Sequence, residues 1–81
     1  MIIKLLLFAA AKEIAGTQQL DVALDEPCTV GQLKSALVAE HPELAAMVDR
    51  SAFSVDHAYA NDETVIGPAA EVAMIPPVSG G

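Results

Sequence analysis

One long helix between segments of strand period limits the folds open to this chain more than any other feature of its sequence. Thr29-Val30-Gly31-Gln32 has capping-box spacing, with a hydroxyl to close the helix start and a glutamine to reach back. Val30, Leu33, Leu37 and Val38 then fall on one helical face, and the helix stops near His41-Pro42. Two segments ahead of it alternate instead. Ile2 to Phe8 reads as a strand with Ile3, Leu5 and Leu7 on one side and Ile2, Lys4, Leu6 and Phe8 on the other. Gln18 to Asp25 turns Leu20, Val22 and Leu24 inward and Gln19, Asp21 and Asp25 outward. Between these strands, Ala9 to Ala15 makes one or two helical turns ended by Gly16, so the two strands predict a hairpin with a wide connection.

Glu26-Pro27-Cys28 reads as the turn before the main helix. After that helix a short one is predicted over Glu43 to Val48, with Leu44, Met47 and Val48 inward and Asp49-Arg50-Ser51 as a loop. Ala52 to Asp56 is a strand with Phe53 and Val55 on one face; Asp56-His57 turns the chain into a brief return strand, Ala58-Tyr59-Ala60. Asn61-Asp62-Glu63 and Gly67-Pro68 are turns. Glu71 to Ile75 is the last strand, with Val72 and Met74 on one face and Ala73 and Ile75 on the other. The order predicts an α+β domain over residues 1–75, a mixed sheet packed on one main helix plus a short helix. The last strand is expected to run parallel to the first, because the helix supplies the long crossover that parallel pairing requires. With 53% apolar residues but only 4% aromatic, the core must be built mainly from Leu, Val, Ile, Ala and Met.

Residues 76–81 behave differently. Pro76 and Pro77 lack backbone donors and fix φ, so they launch a stiff, extended arm through Pro77, Val78, Ser79, Gly80 and Gly81. Gly80-Gly81 has no Cβ to jam in a narrow passage. Extended, the arm spans about 20 Å, enough to carry the carboxylate of Gly81 into another protein's cleft as a flexible tail. The net charge of −7, from eleven acids and four bases, argues against a nucleic-acid partner and for a basic protein partner.

The body offers no catalytic constellation. Cys28 reads as a small buried residue before the helix cap rather than a nucleophile. As the sole cysteine it forms no internal disulfide, which fits a cytoplasmic location. His41 and His57 sit at a helix end and in a turn, without zinc-type spacing to Cys28, so no metal site is expected. The apolar run after Lys4 is too short to span a membrane and reads as strand rather than leader. If the first and last strands are neighbours, Leu6, Phe8 and Ile75 share a sheet face that Tyr59 joins, forming a partner-docking patch.

These segments resemble a known family. The opening strand with Phe8-Ala9-Ala10-Ala11-Lys12-Glu13-Ile14-Ala15-Gly16, then Phe53-Ser54-Val55-Asp56, and above all Glu71-Val72-Ala73-Met74-Ile75-Pro76-Pro77-Val78-Ser79-Gly80-Gly81, are similar to the small, sulfur-carrier subunits of molybdopterin synthase. That family has a ubiquitin-like β-grasp fold. The resemblance implies that an E1-like adenylating enzyme, using ATP, activates the Gly81 carboxylate, and that a sulfur donor protein converts it to a thiocarboxylate. The tail then delivers sulfur to a cyclic pyranopterin precursor in the large subunit of molybdopterin synthase, within a heterotetramer. The chain itself would bind no cofactor and act as a non-catalytic carrier. The family's Arg and Asn are replaced here by Lys12 and Asp56, and its Gly-Asp before the last strand by Ala69-Ala70. Sulfur carriers for thiamin or cysteine synthesis share the Gly-Gly end, although thiamin carriers tend to be shorter and lack the Pro-Pro approach. A ubiquitin-like protein modifier is the further alternative.

Overall fold

A computed structural model describes residues 1–77 of the chain. The first strand, β1 (Ile2–Leu7), keeps the expected alternation: Ile3, Leu5 and Leu7 are buried, while Ile2 and Lys4 are exposed and Leu6 is half-buried. Phe8 lies just outside it, as the extended residue that starts α1 (Ala9–Ala15). Gly16 ends this helix at φ +75°, a left-handed geometry that glycine reaches without a Cβ clash. The chain returns through β2 (Gln19–Ala23), antiparallel to β1.

The main helix, α2 (Val30–Glu40), starts as its sequence demands. The Gln32 N–H donates to Thr29 Oγ1 at 3.2 Å, and the Thr29 N–H donates to Gln32 Oε1 at 2.8 Å, so two donors at the helix start are satisfied. Val30, Leu33 and Leu37 are buried and Val38 partly so. A 3-10 turn (Pro42–Leu44) leads into α3 (Ala45–Arg50). Asp49 and Arg50, predicted as loop, belong to α3, and the Ser51 hydroxyl closes its end by donating to the Met47 carbonyl at 2.6 Å. The chain then forms β4 (Ala52–Val55), β5 (Ala58–Ala60), β6 (Val65–Ile66) and β7 (Val72–Ile75).

Among the described residues the main sheet has five strands in the order β2-β1-β7-β4-β5. The parallel pairing of β7 with β1 expected from the crossover is present, Leu5 facing Val72 and Leu7 facing Met74. A second, two-stranded ribbon corrects the sequence reading: Cys28 is not part of the preceding turn but opens β3 (Cys28–Thr29), which pairs with β6. This is the β-grasp arrangement, with α2 lying across one sheet face. Leu5, Leu33, Leu37, Leu44, Val72 and Met74 are fully enclosed between them. Among the described residues no helix covers the other face of the sheet, and there the candidate site lies.

Candidate functional site

Strand register builds this site. Leu6 pairs with Gln19 on one side and Ala73 on the other; Ala73 pairs with Ser54, and Ser54 with Tyr59. Alternation sends all five side chains to the open face, in one row across the sheet. Ile75 lies beyond Ala73 on the same face, opposite Ala52. Phe8 follows β1 two residues beyond Leu6. The four residues proposed from sequence as a patch, Leu6, Phe8, Tyr59 and Ile75, therefore come together around one groove of about 460 Å³.

The shape of the groove comes from residues the sequence reading passed over. Ala73 and Ser54 form its floor, at 8% and 9% exposure, and they are small where their neighbours are large. Tyr59 stands 80% exposed on one wall and Phe8 48% exposed on another. His57 and Glu71 complete the lining. The groove thus combines apolar walls from Leu6, Phe8, Ala73 and Ile75 with polar groups from Ser54, Tyr59, His57 and the carboxylate of Glu71.

That carboxylate is held in a defined way. His57 Nε2 lies 2.6 Å from Glu71 Oε2. The Glu71 N–H donates to the Asp56 carboxylate at 2.9 Å, and the Asp56 N–H donates to the Glu71 carbonyl at 2.8 Å. The β4–β5 turn is therefore fastened to the segment entering β7, which fixes Tyr59 relative to the floor. No signal in the sequence marked this contact, because residues 57 and 71 are separated by a strand, a turn and the short ribbon.

Pro76 is buried and Pro77 exposed at the end of β7. Val78, Ser79, Gly80 and Gly81, which carry the predicted chemistry, lie outside the described residues. Elsewhere, Cys28 is buried, and burial pushes its thiol pKa up, so it stays a protonated packing residue at neutral pH. His41 Nδ1 lies 3.6 Å from Glu43, far in the chain from the groove. Among the described residues no three His, Cys, Asp or Glu side chains gather to hold a metal ion, and no helix is long and apolar enough to cross a membrane.

Comparison with known proteins agrees with this architecture. The ThiS family matches residues 5–81. A molybdopterin synthase sulfur carrier subunit of Chlamydomonas reinhardtii is 32% identical, with all of both chains covered. Small archaeal modifier protein 1 of Haloferax volcanii is 37% identical over 93% of this chain and 95% of its own. A crystal structure of that modifier superposes with a TM-score of 0.89 at 31% identity, covering all of both chains.

Proposed function

Because the chain belongs to the ThiS family, we propose that it carries sulfur on its own C-terminus for molybdopterin synthesis. Similarity along its whole length to a molybdopterin synthase sulfur carrier subunit supports this reading. The observation that carries it is the course of one strand. β7 supplies Ala73 to the groove floor and Ile75 to its wall, then runs directly into Pro76-Pro77. Docking face and reactive end are thereby coupled through a single extended segment. The four residues after Pro77 reach at most about 14 Å when extended, so a partner seated in the groove keeps the carboxylate at high effective concentration in its own cleft.

The chemistry follows from the carboxylate. An α-carboxyl group with an ordinary pKa of about 3.5 is ionised at neutral pH and is a poor electrophile. An E1-like enzyme would convert it to an acyl-adenylate, with ATP losing pyrophosphate. Sulfide-level sulfur delivered by a donor protein then attacks the acyl carbon, expelling AMP and leaving the thiocarboxylate. In the large subunit of molybdopterin synthase that sulfur bonds to the cyclic pyranopterin precursor, and water cleaves the acyl carbon–sulfur bond to return Gly81 to a carboxylate. Gly80 and Gly81 supply the narrow, adaptable end, Pro77, Val78 and Ser79 the approach, and Leu6, Phe8, Tyr59 and Ile75 the docking surface. Residues 1–75 act as the body and 76–81 as the tail, in the cytoplasm. Catalytic groups, ATP and phosphate-binding residues belong to the partners.

Deleting Gly80 and Gly81 tests the reading. The shortened chain should still bind the large subunit through the groove, yet support no conversion of precursor. Undiminished conversion would refute the proposal. Likeness to a small archaeal modifier favours a second reading, conjugation of Gly81 to lysines of other proteins. Isopeptide-linked conjugates, in cells where no thiocarboxylate forms, would select it.

A further inference from the structure

The turn beside the groove holds two residues other than glycine in the left-handed region. Asp56 and His57 join β4 to β5, and both are left-handed, at φ +50° and +68°. Two-residue hairpin turns with positive φ at both positions prefer glycine second, because a Cβ there is strained. Here a histidine occupies that place. Its contact with Glu71 does not explain this by stability: the His57 side chain is 84% exposed and that of Glu71 50% exposed, and such solvated pairs contribute little to folding. What the contact does accomplish is to occupy the Glu71 carboxylate on the lining of the groove.

We propose that the groove receives an arginine side chain of the large subunit, and that His57 occupies Glu71 until that arginine replaces it. The inference rests on the proposed sulfur-carrier role and names the chemistry that the docking face selects. The small floor of Ala73 and Ser54 leaves room for an extended side chain. Leu6 and Ile75 flank it with apolar surface for the methylene stem, and the exposed ring of Tyr59 offers a face for a guanidinium. Glu71 supplies a carboxylate matched to the planar fork of arginine. A purely apolar side chain would leave Glu71 paired with His57 and make no use of its charge. The net charge of −7 already favours a basic partner. His57, exposed and held by one contact, is an easily displaced placeholder.

The test is calorimetric titration of the full chain and its variants with the cognate large subunit, with melting curves for each. Glu71→Gln should keep the fold, since Asp56 binds the Glu71 backbone. It should weaken binding by about tenfold or more, and the salt dependence should flatten. Ala73→Leu, which fills the floor from the solvent side, should weaken binding by about tenfold or more. His57→Gly should raise or maintain the melting temperature and tighten binding about threefold, because the competitor for Glu71 is gone while the turn relaxes. Binding of Glu71→Gln within twofold of the unaltered chain would overturn the proposal, as would tenfold weaker binding of His57→Gly. Failure of the unaltered chain to bind the large subunit would instead overturn the sulfur-carrier reading, and this inference with it.

Discussion

Replacing Tyr59 by alanine separates docking from folding more cleanly than any other change at the groove. A tyrosine buries about 200 Å² when fully enclosed. At 80% exposure, Tyr59 therefore keeps most of its surface in water in the free chain. The covered fifth, about 40 Å², contributes at most about 1 kcal/mol to folding at about 25 cal/mol per Å². For a domain of this size that is a fall in melting temperature of about 4–8 °C. If the partner covers half of the exposed part, about 80 Å² leaves water and about 2 kcal/mol of binding depends on the ring. Tyr59→Ala should then raise the Kd for the large subunit about 30-fold, with the chain still folded at 25 °C. Isothermal titration at fixed salt, paired with a melting curve, measures both quantities. A Kd within twofold of the unaltered chain would refute the assignment of this face as the docking surface.

Phe8→Asp removes an aromatic wall of the groove and should weaken binding in the same titration while far-ultraviolet circular dichroism is retained. Gly80→Ala should slow activation or sulfur transfer, read as thiocarboxylate formed per minute, with no shift in melting temperature. Burial raises the pKa of the Cys28 thiol, so the folded state is favoured while that thiol stays protonated. Its contribution to stability is complete well below the ordinary thiol pKa of about 8.5 and falls as the pH rises through the raised value. Denaturant midpoints between pH 7 and 10.5 should reveal that loss, and Cys28→Ala should lack this component.

Much of the fold was legible because long elements repeat their signal. Ile3, Leu5 and Leu7 alternate over a whole strand, and Thr29 with Gln32 marks a helix start by chemistry as well as position. The β3–β6 ribbon was not legible: each strand has two residues, too few for alternation, and it exists through the distant pairing of Cys28 with Ile66. The extension of α3 to Arg50 was missed because polar residues at a helix end look like loop. At the groove, the large residues announced themselves but the floor did not. Ala73 and Ser54 matter by what they leave empty, and they become neighbours only once β7 lies between β1 and β4. The grip of His57 on Glu71 is likewise a product of tertiary structure, as is the left-handed backbone of the histidine behind it.

The most direct test of a sulfur-carrying terminus is the intact mass of the chain purified from its own cells under non-reducing, rapid conditions. Exchange of one terminal oxygen for sulfur adds about 16 Da, a covalent change of the kind that alters the chemistry of a chain end, and fragmentation should place it on Gly81. A population carrying that increment at Gly81 is the predicted result. An unmodified carboxylate in cells actively making the cofactor, or the same increment placed on a methionine as sulfoxide, would contradict the account.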